Sequence, residues 1–254
     1  MHNIESLPLL LKELRLSAFI EHWETEQEIA LDKQLIPGQF LTNLCHLEVK
    51  ARYERRVRSM LREAKLPSGK SFESLNFNEF KGIKKAQVNK FQVETSWIER
   101  AENLLLFGPS GAGKTHIASA IGYALIEKGI RVKFTAATEL VQSLQRAKQE
   151  LTLFNALAKL DRYPLLIVDD IGYVKKDEQE TQVLFELIAH RYEARSMIIT
   201  SNQPFSEWDK IFGDNMMTVA AIDRLVHHAT VLDFKREESY RRKQAVKRKS
   251  AQRA

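Results

Sequence analysis

The stretch Leu104–Thr115, which reads LLLFGPSGAGKT, decides the fold of this chain. Its first four residues are an apolar run that predicts a buried strand, and a helix-compatible segment follows from His116 to Lys128. Between them lies the spacing G-x-x-x-x-G-K-T, which in a strand–loop–helix context indicates a phosphate-binding loop. A glycine turn that matches the pattern by chance is the alternative, and the flanking strand and helix argue against it.

Each residue type in the loop suits phosphate binding. Glycines permit backbone angles and close approaches that a Cβ atom would forbid, so the loop N–H groups can converge on phosphate oxygens. The positive end of the following helix favours the same anion. Lys114 is expected to contact the β- and γ-phosphates, and the Thr115 hydroxyl is expected to bind Mg²⁺. The residues predicted to bind ATP are Gly108, Pro109, Ser110, Gly111, Ala112, Gly113, Lys114 and Thr115.

Two further strands are predicted to end in polar residues. The apolar run from Leu165 leads directly into Asp169 and Asp170, and Met197–Thr200 leads into Ser201 and Asn202. Carboxyl ends of parallel strands meet at the ligand crevice of an open sheet. We therefore expect Asp169 to hold Mg²⁺, Asp170 to orient or deprotonate the attacking water, and Asn202 to lie beside the γ-phosphate. The alternatives are carboxylates that merely end a strand and a turn asparagine before a proline.

Composition limits the class of protein. The chain has 254 residues, one cysteine (Cys45), a net charge of +6 and a calculated pI near 9.3. One cysteine excludes an intrachain disulfide, which suits a reducing, cytoplasmic location. No apolar run is long enough to cross a bilayer, so no membrane partner is expected. Residues 235–254 carry nine basic side chains against two glutamates, a pattern that indicates either a nucleic-acid contact or a solvated tail.

The first 66 residues are predicted to be a helical domain. Ser17 is the predicted N-cap of a helix through Leu31, Pro37-Gly38 interrupts the pattern, and a long helix is expected over Gln39–Lys65. Its basic second half is either a salt-bridged surface or a DNA-facing one. A linker over 67–76, an ATPase domain over 77–234 and the basic tail over 235–254 complete the predicted organisation.

An alternation of strands and helices around the loop predicts an α/β fold with a parallel sheet flanked by helices. Aromatic residues between Phe72 and Phe80 either cover an adenine ring or pack under the sheet. Strands are predicted over Val132–Thr135 and Thr230–Phe234, and helices over Ile83–Trp97, Thr138–Glu150, Leu153–Asp161, Glu178–Ala194 and Ala220–Leu225.

Together these residues resemble the AAA+ ATPases and, within them, the IstB-type transposition helpers of insertion sequences, relatives of the DnaC/DnaI helicase loaders. The finer resemblance rests on residues 11–16, 64–67, 168–173, 221–225 and 239–241. It implies that Asn202 is a γ-phosphate sensor, that Arg224 is an arginine finger acting on a neighbouring subunit, and that Arg241 is a second sensor. The chain departs from the AAA+ pattern in having Asp170 where most members have glutamate, and in lacking residues for a full C-terminal lid and a glycine before Ser239.

The resemblance implies an ATP- and Mg²⁺-dependent regulator that assembles as a homo-oligomer on duplex DNA, with little sequence preference, and assists a transposase. Hydrolysis is expected to be slow alone and faster on assembly. A replicative helicase loader is the first alternative. A small-molecule P-loop kinase and an ATP-locked scaffold with negligible turnover are the others.

Overall fold

The computed structural model describes residues 6–77, 80, 82–172, 178–203, 207–208 and 215–234. The chain divides into two compact units, Met1–Ser59 and Met60–Ala254. The described helices are α1 Leu7–Glu13, α2 Ser17–Asp32, α3 Pro37–Ala64, α4 Lys85–Val93, α5 Ser96–Glu99, α6 Lys114–Glu127, α7 Ala137–Gln149, α8 Leu153–Leu160, α9 Glu178–Arg191 and α10 Asn215–His227. The strands are β1 Asn103–Phe107, β2 Val132–Ala136, β3 Leu165–Asp169, β4 Ser196–Ser201 and β5 Ala229–Asp233.

The first unit is helical, and its small core joins α1, α2 and α3. Leu11, Phe19 and Leu44 are buried together, with Trp23 and Phe40 packed against them. This burial of one residue from each helix explains why three amphipathic segments fold together.

Two predicted helix ends in this unit were wrong. Leu16, rather than Ser17, is the N-cap of α2, and no side chain of its own caps that helix. The buried carboxylate of Glu48 instead accepts the Ala18 N–H at 2.8 Å. The break between α2 and α3 lies at residues 33–36, and Pro37, which was predicted to belong to the break, is the first residue of α3, a position where a missing N–H costs no hydrogen bond.

The second unit contains a five-stranded sheet in the order β2-β3-β4-β1-β5, and all paired strands are parallel. The register places Phe107 beside Ser201 on one side and Asp233 on the other, so the ends of β1, β4 and β5 lie level. Fully buried residues line β1 and β3, as expected for a parallel sheet covered on both faces. The carboxyl ends of the strands thus form one edge around the phosphate loop.

Helices α7, α9 and α10 contribute to the main core beside the sheet. Leu144, Val183 and Leu225 are buried in one cluster with Leu105 and Ile199 of the central strands. The predicted helix over Ile83–Trp97 is two helices, because Glu94 is extended between α4 and α5. The predicted helix at Ala220–Leu225 is the central part of the longer α10. Both differences reflect tertiary packing that the local pattern does not encode.

Several predictions lie outside the described residues. They are the basic tail over 235–254 with Arg241, the end of the 168–173 motif at Tyr173, and the motif at Ser239–Arg241. Among the residues that the structure describes, none of the helices is long and apolar enough to cross a membrane.

Candidate nucleotide site

The phosphate loop runs from the end of β1 into α6, and two of its glycines are required by close packing. Gly108 has a φ of +142°, and a Cβ atom there would lie 2.6 Å from the Cβ atom of Phe234. Gly113, the N-cap of α6, has a φ of +95° and faces the ring of Phe80. An L side chain at either position would be strained and would displace an aromatic residue.

Lys114 is buried at the start of α6, and its ammonium group is directed into the loop. Its Nζ atom donates to the carbonyl oxygens of Gly108 and Pro109 at 2.7 and 3.0 Å. The ammonium group therefore lies where a loop that wraps phosphates would need a positive charge.

Thr115 and Asp169 are brought together although they are far apart in the chain. The Thr115 hydroxyl lies 2.9 and 3.1 Å from the two carboxylate oxygens of Asp169. A hydroxyl and a carboxylate are hard oxygen ligands of the kind that Mg²⁺ prefers, usually with several retained waters. The pair predicted as metal ligands therefore fits that ion in chemistry and proximity.

Thr200, a residue the sequence reasoning did not select, links the carboxylate of Asp169 to the backbone of Asp170. Its hydroxyl donates to Asp169 Oδ1 at 2.7 Å and accepts the backbone N–H of Asp170 at 2.8 Å. Asp170 itself adopts a left-handed conformation with a φ of +63°. Asparagine and aspartate tolerate this conformation better than most residues, but it remains uncommon and often occurs at functional sites. The bridge and the turn set the direction in which the Asp170 side chain leaves the strand.

Asn202 directly follows β4, whose end lies beside β1 and the loop. The Oδ1 atom of Asn202 is buried and finds no hydrogen-bond partner among the residues that the structure describes. A buried amide oxygen without a partner loses free energy, so such an atom calls for a donor. The position agrees with the predicted sensor, whose role stays a prediction.

Arg224 lies on α10, and its guanidinium group lies over the ring of Phe185 at 5.1 Å from the ring centroid. Within the described part of the chain, its Nη1 atom is buried without a hydrogen-bond partner. Phe185 itself is partly buried against the main core. This contact holds Arg224 by a cation–π interaction rather than by a carboxylate.

The segment before the loop also contacts the loop and α6. Phe80 packs edge-on against Phe77 and Phe234, with centroid distances of 5.8 and 6.1 Å, and so covers Gly113. His116, which follows Thr115, has its Nε2 atom 3.0 Å from Ser74 Oγ. Burial lowers the pKa of His116, so the neutral ring is favoured there. These contacts attach Ser74 to the first turn of α6 and Phe80 to the phosphate loop.

Phe185 and Thr200 were both missed because neither has a signature of its own in the sequence. Thr200 lies near the end of β4, beside the strand that leads into the phosphate loop. A comparison of the residues at the strand ends could therefore have found it. No local signal could have found Phe185, because it is one of several apolar residues spaced along α9.

A parallel sheet in this order, with a phosphate loop after the interior strand β1 and carboxylates at the end of β3, defines a P-loop protein of the AAA+ class. Solved structures with the same fold include DnaI (TM-score 0.57, 21% identity, covering 70% of this chain and 94% of that one). AMPPCP-bound DnaA from Aquifex aeolicus is another (TM-score 0.56, 17% identity, covering 71% and 54%).

Residues 9–249 match the family described as IstB-like ATP binding protein, and the chain belongs to that family. A protein of Sinorhizobium fredii described as an insertion sequence ATP-binding protein is 49% identical over 243 residues, covering 96% of this chain and 81% of its own length. An IS21 ATP-binding protein of Pseudomonas aeruginosa is 38% identical over 247 residues, covering 97% and 91%. The predicted family and fold class are therefore confirmed.

Proposed function

We propose that this protein hydrolyses ATP to control its own assembly on duplex DNA, and that the assembly assists a transposase. The observation that carries the ATPase part is the bridge from Thr115 through Asp169 and Thr200 to the backbone of Asp170. It joins the loop, the candidate metal ligands and the candidate base in one hydrogen-bonded group. The insertion-sequence relatives support the transposition part.

The residues divide the work of phosphoryl transfer. The loop N–H groups and Lys114 bind the β- and γ-phosphates. Thr115 and Asp169 would hold Mg²⁺, which would supply positive charge to offset the negative charge of the reacting phosphates. Asp170 orients or deprotonates the attacking water, and Asn202 polarises it from the neighbouring strand end. Because an aspartate reaches less far than a glutamate, hydrolysis is slow until assembly aligns the water.

Completion of the site requires a second subunit. Arg224 acts on the nucleotide of a neighbouring copy, and Arg241, in the tail outside the described residues, is a further γ-phosphate sensor. An arginine finger raises turnover by roughly 10³–10⁵-fold in other nucleotide hydrolases. ATP binding and assembly are therefore coupled, because each neighbour supplies a charge that the nucleotide needs.

Duplex DNA is contacted through its phosphates by exposed basic side chains. Arg52 and Arg55 are not free for this purpose, because both are bonded to Glu48. Lys50, Arg56 and Arg62 remain exposed along α3, and the basic tail adds further charge. Contacts to phosphates carry little sequence information. They weaken steeply as the salt concentration rises, because the release of counterions from DNA then gains less free energy.

Duplex binding with and without ATP tests this proposal. Lys114→Ala removes the charge that contacts the phosphates, and we expect it to abolish the ATP-dependent part of DNA binding measured by fluorescence anisotropy. Lys159→Ala removes one exposed lysine from α8 and serves as the charge-matched control, with near wild-type binding expected. If Lys114→Ala binds DNA as the wild type does in the presence of ATP, assembly is not controlled by this site.

A further inference from the structure

We propose that Glu193, His227 and His228 form a binding site for one divalent transition-metal ion of the Zn²⁺ class. Each side chain offers one ligand atom, and these three atoms all lie within 4.8 Å of one another. The site lies where α10 ends and where the turn after α9 begins, away from Thr115 and Asp169. It therefore uses no residue of the candidate nucleotide site.

The donor set identifies the class of ion. Two imidazole nitrogens and one carboxylate oxygen suit Zn²⁺, Co²⁺ or Ni²⁺, whereas Mg²⁺ and Ca²⁺ prefer oxygen ligands alone. Two histidines and a glutamate are a known zinc ligand set that leaves a fourth position open for water or an external ligand. The C-terminal end of α10 adds partial negative charge from its free carbonyl groups, which favours a cation.

The three side chains must move closer together to bind one ion. Tetrahedral zinc ligands with bonds of about 2.05 Å lie about 3.3 Å apart. His228 Nε2 lies 3.7 Å from Glu193 Oε1, and all three ligand atoms lie within 4.8 Å of one another. All three side chains are exposed, so rotation about their side-chain bonds can close these distances without disturbing a packed core.

The backbone that carries these ligands is fixed from behind. The His228 carbonyl accepts the Asn103 N–H at 2.7 Å, and the buried Asn103 side chain bonds to the Leu225 carbonyl and the Met197 N–H. Glu193 has a φ of +56° in a turn whose next two N–H groups both bond to the Arg191 carbonyl. The two ligand-bearing segments are thus positioned by the sheet before any ion binds.

Tyr192 orients one of the ligands. Its hydroxyl lies 3.0 Å from His227 Nδ1, which leaves Nε2 of that ring for the ion. Metal-binding histidines commonly have their second nitrogen hydrogen-bonded in this way, and the partner fixes the ring and its tautomer. The same hydroxyl is also hydrogen-bonded to the Glu193 carboxylate, and Asp223 and Arg224 are further charged groups near it. The ion would tie the last turn of α10, one turn from Arg224, to the end of α9.

Cobalt titration of the untagged, nucleotide-free protein tests the site. Four-coordinate Co²⁺ with nitrogen ligands absorbs visible light strongly, whereas six-coordinate Co²⁺ at oxygen ligands such as Thr115 and Asp169 absorbs weakly. We expect one strongly absorbing Co²⁺ per chain, displaced by Zn²⁺. His228→Ala and Glu193→Gln remove ligands and should each lower Co²⁺ affinity at least tenfold, and Tyr192→Phe should lower it by about tenfold through the two ligands, His227 and Glu193, that its hydroxyl contacts.

His46→Ala, which removes an exposed histidine from α3, is the matched control and should bind Co²⁺ as the wild type does. Glu193→Gln changes an exposed side chain, so its folding, checked by circular dichroism, should be intact. The proposal is wrong if the wild type shows no strong absorption, or if His228→Ala and Glu193→Gln both retain wild-type affinity.

Discussion

Asp169 and Asp170 are adjacent in the chain but are held in different ways. Hydroxyl groups of Thr115 and Thr200 direct the carboxylate of Asp169 toward the phosphate loop. Asp170 is instead fixed through its backbone, by the Thr200 hydroxyl and a left-handed turn. One threonine hydroxyl therefore contacts the side chain of Asp169 and the backbone of Asp170, and its removal tests the site without touching a residue proposed to contact ATP.

Thr200→Val keeps the shape of the side chain and removes its hydroxyl. We expect ATP hydrolysis in the presence of duplex DNA to fall about 10–100-fold, the usual cost of losing a residue that orients a metal ligand. ATP affinity, measured with a fluorescent analogue, should change little because the loop and Lys114 are intact. Thr135→Val makes the same change in β2, where the hydroxyl bonds only to the Ala136 carbonyl among the described groups. Equal losses in both variants would contradict the assigned role.

Residue-level prediction was possible where the chemistry has a linear pattern. Thr115 was predicted as a metal ligand from the phosphate loop and Asp169 from the end of a strand, and the structure places these side chains, 54 positions apart, in contact. Their role as metal ligands stays a prediction. Thr200 was not predicted as a site residue because it belongs to the apolar run that predicts β4. The contacts of Thr200 with Asp169 and Asp170 depend on the register between β3 and β4, and periodicity alone does not define that register.

At the scale of elements, Glu48 links α3 to the start of α2. Its carboxylate accepts the Ala18 N–H at 2.8 Å and an Arg52 hydrogen bond at 2.7 Å, with Arg55 at 3.2 Å. Burial raises the pKa of Glu48. The hydrogen bonds from Arg52 and Ala18 and the charges of both arginines together lower it by more than burial raises it, so the net shift is downward. The long basic helix thus uses two arginines to hold the helical unit together.

Glu48→Gln should lower the free energy of unfolding by about 1–2 kcal/mol at neutral pH, since charge-assisted hydrogen bonds become neutral ones and the arginines are half-exposed. A carboxylate with a depressed folded-state pKa stabilises the fold above its usual value of 4.5, and this contribution is lost as pH falls through the folded-state pKa. The difference from wild type in urea denaturation, followed by circular dichroism, should therefore shrink below pH 4.5. Glu54→Gln, an exposed change on the same helix, is the control, and a difference independent of pH would contradict this role.

Prediction at the element scale was accurate for order and type. The five strands of the described residues lie close to their predicted positions. The apolar runs of β1, β3 and β4 agree with their place in the interior of the sheet, where parallel strands are covered on both faces. The errors lie at ends and breaks, as at Pro37, Leu16 and Glu94. The cap of α2 comes from Glu48, 30 residues away from Ala18, and a local pattern cannot contain such a partner.

At the scale of the whole molecule, Arg224 is one of the described residues whose hydrogen bonding is incomplete within one chain. Its guanidinium lies over Phe185, and its buried Nη1 atom has no partner within the described residues. A planar cation held by an aromatic face keeps its hydrogen-bond donors available for an anion. This arrangement suits a group that acts on the phosphates of a neighbouring copy, and head-to-tail contacts of that kind repeat along an assembly.

Mixing two inactive variants tests whether Arg224 acts between subunits. Lys114→Ala keeps the arginine but loses the nucleotide site, whereas Arg224→Ala keeps the site, and each alone should lose roughly 10³-fold in turnover. An equimolar mixture should recover about a quarter of the wild-type rate, because one head-to-tail interface in about four pairs an intact site with an intact arginine. The rate is measured by phosphate release after subunits are mixed and before ATP and duplex DNA are added. Lys114→Ala mixed with a Lys114→Ala/Arg224→Ala double variant should recover nothing, and equal rates in the two mixtures would place the action of Arg224 within its own chain.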